Sequence, residues 1–193
     1  MYDTFVNVRE SMLIRLLAYR KFHHSLRTRV PEKLSVLYLN RNGGRRGVKN
    51  VDEILDYMRR SNRSELVVEE NIPRTFEEQV RSVMSIDIYV SMHGAAMTHI
   101  MFMEPFGALI EFNPPKFNEA YYRNMAGKSN LLFYGIYKTS TDNMKDSMAE
   151  RSTDKILNQW ITVPLELFAK TFDLASKKVW DVKYKLCDIY FVC

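Results

Sequence analysis

Residues Ile86 to Asn113, IDIYVSMHGAAMTHIMFMEPFGALIEFN, read as strand, tight small-residue turn, helix and strand. Ile86, Ile88, Val90 and Met92 alternate with Asp87, Tyr89 and Ser91, the period of a strand with one side more buried than the other. His93-Gly94-Ala95-Ala96 then interrupts the pattern with residues that carry almost no side chain after the histidine. Met97, Ile100, Met101 and Phe102 fall at helical spacing, and Pro105 and Gly107 stop the run. Ala108 to Phe112 is a second apolar strand, closed by Glu111 and Asn113. Small residues at a strand-to-helix turn let a ligand approach the backbone, and the unpaired N–H groups of the first helical turn then favour an anion.

Upstream, Phe5, Val8, Met12, Leu13, Leu16 and Leu17 recur at three and four residues, predicting an amphipathic helix over about 4–20. A basic stretch from Arg20 to Arg29 follows and reads as a solvated helix end and connector. Leu34 to Leu39 is a near-continuous apolar run, as in a strand buried on both faces of a parallel sheet. Directly after it, Asn40-Arg41-Asn42-Gly43-Gly44-Arg45-Arg46-Gly47 sets arginines among glycines. Guanidinium forks match phosphate oxygens, so a phosphate clamp is one reading and an ordinary cationic loop the other.

Asn50 with Glu53, and Thr75 with Glu78, have capping-box spacing and open two helices on either side of the strand Leu66–Val68. Past Pro114-Pro115, Phe117 to Met125 reads as a short helix and Leu131 to Tyr137 as a strand. Lys138 to Asp154 is polar and reads as a mobile loop. Pro164 starts a last helix with Leu165, Phe168, Phe172, Ala175 and Val179 inward. The alternation of strands and helices is that of an α/β, Rossmann-like parallel sheet. On such a sheet the arginine loop, His93-Gly94 and the pair Glu111 and Asn113 share the carboxyl rim, where ligands bind. Arginines with a helix amino terminus suit a diphosphate, and a carboxylate suits ribose or sugar hydroxyls. A nucleotide or nucleotide-sugar fits that set better than a metal ion.

Length and composition narrow the class. At 193 residues with 46% hydrophobic content, one ordered globular domain with trimmings is expected. The formal net charge of +5 suits a phosphorylated ligand but is too small an excess to argue nucleic acid. No run approaches the roughly 18 apolar residues of a membrane span, and Arg9, Glu10 and Arg15 break any signal-peptide core at the amino terminus. Cys187 and Cys193 form either a local disulfide or two free thiols, and no zinc set accompanies them. GxGxxG, Walker A and GxSxG sequences are absent.

Together, Ser91-Met-His-Gly-Ala-Ala-Met-Thr-His99, Phe102, Gly107-Ala108 and Leu109-Ile-Glu111-Phe-Asn-Pro114 resemble the carboxyl-terminal signature of family-61 glycosyltransferases. Leu39-Asn-Arg41 with Arg46, Asn50 and Glu53 is similar to the family's "SR…R…N…E" segment, and Phe76-Glu-Glu-Gln-Val80 to its "F.EQ" helix. The resemblance covers about residues 34–137, in the family's order. Asn40 stands where the family has serine, Ala96 where it often has glycine, and either Arg45 or Arg46 matches its second arginine.

The resemblance implies inverting, metal-independent transfer from a UDP-sugar, with no cofactor, on a GT-B architecture. It makes 31–193 the donor-binding carboxyl-terminal domain, with 1–30 a helix and connector and the amino-terminal GT-B domain lying outside this chain. Arg41 and Arg45 or Arg46 then meet the donor diphosphate, His93, Gly94 and Ala95 lie against it, and Glu111 faces ribose or sugar. His93 and Glu111 are the two candidates for catalysis. N-acetylglucosamine or xylose is the expected sugar, and a glycan or glycoprotein hydroxyl the acceptor. The parent protein is expected in the Golgi or endoplasmic reticulum lumen, meeting the membrane only through an amino-terminal anchor. The alternative is a non-catalytic nucleotide-sugar-binding module. An RNA-binding protein is disfavoured, because the basic residues are not interleaved with aromatics.

Overall fold

The computed structural model describes residues 7–26, 30–40, 46–61, 64–69, 73–141 and 158–185. A five-stranded sheet forms its centre: β1 (Leu34–Leu39), β3 (Ser64–Glu69), β4 (Ile88–Met92), β5 (Ala108–Phe112) and β6 (Leu132–Ile136). The order across the sheet is β3-β1-β4-β5-β6, and every neighbouring pair is parallel. A two-stranded parallel patch joins β2 (Gly47–Val48) to β7 (Trp160–Ile161) beside it. The Rossmann-like α/β fold expected from the alternation is therefore present.

Helices cover both faces, which is what an all-parallel sheet requires. α2 (Val51–Arg60) and α5 (Leu165–Val179) bury Ile54, Leu55, Met58, Phe168 and Phe172 against Val36, Val90, Ile110 and Phe112. On the other face lie α1 (Val8–Lys21), α3 (Phe76–Met84), a 3₁₀ helix (Ala95–Phe102) and α4 (Tyr121–Lys128), against Leu37, Leu39, Tyr89 and Leu109. Every residue of β4 is buried, not only alternate ones, because that strand is central. The helix expected after His93 is wound as 3₁₀, with the Met97 N–H bonded to the Gly94 carbonyl at 2.9 Å.

The caps divide. Thr75 and Glu78 complete both halves of a capping box. Asn50 makes no side-chain cap; its amide instead pairs with both Val163 backbone groups, at 2.8 and 3.0 Å, and so ties α2 to the chain after β7. The helix expected at 117–125 starts later, at Tyr121. Most of the polar stretch 138–154 lies outside the described residues, as do Phe5, Cys187 and Cys193.

At the amino end of the sheet, buried Asp87 receives the Ser35 N–H (2.9 Å), the Tyr184 hydroxyl (2.7 Å) and the Lys183 ammonium (2.8 Å). Lys183 also meets Glu104 at 2.8 Å. This ionic knot anchors the π-helical turn Trp180–Lys185, which continues α5. It leaves the carboxyl rim to other chemistry.

Candidate functional site

The chain leaves β1 for β3 on one side, then returns to place β4 on the other side of β1. The connections that leave the carboxyl ends of β1 and β4 therefore run in opposite directions, and that switch point is where open α/β sheets bind ligands. The register lines up one row across the rim: Glu69, Leu39, Ser91, Glu111 and Gly135. The buried Ser91 hydroxyl donates to the Leu39 carbonyl at 3.2 Å and adds a side-chain bond between the paired ends of β4 and β1. Burial pushes the Glu69 carboxyl above its ordinary range at the far end of the row.

His93 follows β4, with its backbone N–H on the Phe112 carbonyl at 2.9 Å. Its ring lies edge-on to Phe117 and Tyr122, with centroids at 4.4 and 5.0 Å. The Tyr122 hydroxyl donates to the Gly94 carbonyl at 2.8 Å, so α4 clamps both the ring and the turn. Glu111, fully buried on β5, places Oε1 2.5 Å from His93 Nδ1. That contact occupies Nδ1, so Nε2 is the ring's remaining position for chemistry.

Arg46 reaches across the switch point and donates from Nη1 to the His93 carbonyl at 3.4 Å. A cation from the loop after β1 is thereby held beside the turn after β4. Gly94 is buried with φ 163° and ψ 165°, extended backbone that any residue adopts. No left-handed conformation requires glycine there. Ala95 is exposed at the start of the 3₁₀ helix, whose first N–H groups have no partners within the helix.

The structure thus joins Arg46, His93, Gly94, Ala95 and Glu111 at one rim. Arg41 and Arg45 lie outside the described residues. Glu111, expected to face ribose or sugar, has no exposed surface and acts on His93. Phe117 and Tyr122 escaped the sequence reading as site residues; an aromatic cluster soon after Pro114-Pro115 was the only signal of them. More polar demand collects at the end of β5, where Glu111 Oε2 and both Asn113 amide atoms are buried without hydrogen-bond partners among the described residues. The Tyr137 phenol is pushed up by burial, with the Glu111 carboxylate adding to the rise and Arg123 opposing it. Among the described residues, no cluster of three or more His, Cys, Asp or Glu could hold a metal.

A parallel sheet with a cation, a carboxylate-held histidine and a small-residue turn at its switch point defines a Rossmann-like α/β protein. The glycosyltransferase 61 family profile matches residues 5–110, more than half of the chain, and the chain belongs to that family. It is also similar to the xylan glycosyltransferase MUCI21 of Arabidopsis thaliana, 30% identical over 122 residues, which cover 62% of this chain and 25% of that protein. The matched stretch is therefore a quarter of the relative's length. No helix among the described residues is long and apolar enough to cross a membrane.

Proposed function

We propose that this chain is the donor-binding, carboxyl-terminal domain of a GT-B glycosyltransferase that uses a UDP-sugar. The observation that carries the reading is the bond from Arg46 to the His93 carbonyl, across the switch point, beside a ring fixed by Glu111. Family membership supports glycosyl transfer. The relative's name, a xylan glycosyltransferase, supports a glycan acceptor; xylose or N-acetylglucosamine as the sugar and the Golgi or endoplasmic reticulum lumen as the compartment belong to the same proposal.

In inverting transfer, an acceptor hydroxyl oxygen attacks the anomeric carbon from the face opposite UDP. The bond from that carbon to the β-phosphate oxygen breaks, and its electron pair leaves with UDP. The acceptor proton passes to a base. Arg46 and the first N–H groups of the 3₁₀ helix are suited to the charge that grows on the leaving diphosphate. His93 Nε2 is suited to a polar contact with donor or acceptor, and Glu111 is a positioning residue that orients the ring. No metal enters this scheme.

Calorimetry with UDP tests the donor site. Arg46→Ala should weaken binding about ten- to hundredfold, as expected when a charge-assisted hydrogen bond is lost. Gly94→Val should abolish it, since a branched side chain would stand where the diphosphate meets the backbone. UDP affinity unchanged in both folded variants would refute the site. Transfer assays with UDP-xylose and UDP-N-acetylglucosamine then separate the enzyme from the second reading, a module that binds donor without transferring it. That reading draws on the quarter-length match to the relative. In the enzyme, Glu111→Ala should lower kcat more than it changes the donor KM, and an equal loss through KM alone would assign Glu111 to binding.

A further inference from the structure

With Glu111 buried against His93, the carboxylate for ribose hydroxyls has to be sought elsewhere on the rim. The row that contains Glu111 ends in a second carboxylate, Glu69, half-buried at the end of β3. Glu69 lines a cleft with Leu39 at the end of β1, Gln79 and Ser82 of α3, and Ala96 and His99 of the 3₁₀ helix. Through Ala96 the cleft adjoins the first turn of that helix, the seat proposed for the diphosphate. Its polar groups are acceptors. Gln79 Nε2 donates to the Pro73 carbonyl at 2.6 Å, which leaves Oε1 to accept, and the Ser82 hydroxyl spends its proton on the Gln79 carbonyl at 3.0 Å. A carbonyl only accepts, so His99 Nδ1, 3.0 Å from the Ala96 carbonyl, carries a proton, and Nε2 of the neutral ring accepts. Burial alone raises the Glu69 carboxyl, and among the described residues no cation or hydrogen bond counters it. A ligand that fits this cleft brings O–H or N–H donors and no negative charge of its own.

We infer that this cleft holds the ribose of the nucleotide, its 2′- and 3′-hydroxyls donating to Glu69 and to His99 Nε2. The inference rests on the donor-site reading above and extends it. A vicinal diol offers two O–H donors on adjacent carbons, a match for the two oxygens of one carboxylate. The ribose then lies over the ends of β1 and β3, and the diphosphate runs from there to Arg46 and the small-residue turn. The transferred sugar is left the other side of that seat, over β4 and β5, where His93 stands. A carboxylate in the cleft also repels the phosphates and keeps them on the cation.

Calorimetry with UDP and 2′-deoxy-UDP on the whole 193-residue chain tests this. The unaltered chain should bind UDP about ten- to hundredfold more tightly, the loss expected when a hydrogen bond to a charged group is removed. Glu69→Ala should weaken UDP and bring the two affinities together. Glu69→Gln, which keeps one acceptor, should fall between. Arg46→Ala should weaken both nucleotides alike and keep their ratio, because it acts on the diphosphate. An unaltered chain that binds both nucleotides equally overturns the inference whatever the variants do, and leaves the donor site standing. So does a Glu69→Ala chain, folded by circular dichroism, that keeps the preference for UDP. If that variant instead loses only the gain of UDP-xylose over UDP, the cleft belongs to the transferred sugar and the inference is overturned. A chain that binds neither nucleotide refutes the donor site and this inference together.

Discussion

α1 and α5 have similar lengths and similar apolar spacing, yet they turn opposite sides to the body. α5 points Phe168, Phe172, Ala175 and Val179 into the core, with the Phe168 ring 5.7 Å from both Phe112 and Phe172. α1 turns its leucines outward and holds on through polar contacts: Arg15 to the Met101 and Ser129 carbonyls, Tyr19 to the Phe102 carbonyl, and Ser11 to Ser129. The difference teaches that a hydrophobic stripe specifies a helix and a face to be covered, but not what covers it. For α5 the cover is the sheet. For α1 the body offers the carbonyls around the end of the 3₁₀ helix and of α4, which only a donor-rich face can satisfy. Burial pushes the Arg15 guanidinium below its ordinary value, a cost set against its hydrogen bonds.

The comparison can be broken most sharply at Phe168. Phe168→Ala should cost about 3–5 kcal/mol, the price of emptying a fully buried aromatic site, read as the loss in unfolding free energy in urea. A loss below 1 kcal/mol would mean that α5 is no more a core helix than α1.

Arg15→Met comes next. It removes the donor from two carbonyls and should cost about 1.5–3 kcal/mol. Amide hydrogen exchange should show α1 opening while α5 keeps its protection. Equal loss of protection in both helices would mean that α1 is part of the same cooperative core.

Ser11→Ala deletes one buried hydroxyl contact, 3.0 Å from the Ser129 hydroxyl. About 1 kcal/mol is expected, again from denaturant unfolding. A stabilised variant would show that packing, not hydrogen bonding, holds this face.

The smallest effect belongs to an apolar residue. Leu17→Ala should change the unfolding free energy in urea by less than about 0.5 kcal/mol. A loss of about 2 kcal/mol or more would place Leu17 in a core.

The site was legible in part, for similar reasons. Residues on one short run were readable: His93-Gly94-Ala95 ends an apolar strand, and Glu111 ends the next. Arg46 was readable as a cation on a glycine-rich loop. That Arg46 touches the His93 carbonyl depends on β1 and β4 being neighbours, which no local pattern encodes. The pairing of Glu111 with His93 likewise depends on the register that sets Ser91 beside Glu111. Tyr122 enters only because α4 lies over that end of the sheet.

By itself, then, the sequence determined the elements: apolar runs with breakers between them dictate strands and helices, because each residue's spacing acts within a turn or a strand. It also marked the family, through motifs held in order along the chain. Only the tertiary structure decided the strand order, the switch point, the inward face of α1 and the partner of Glu111. Each of these rests on contacts between residues far apart in the chain, such as Arg15 with Ser129 and Lys183 with Asp87. Those contacts form where buried polar groups find partners, and which partner is within reach is known only once the layers are packed.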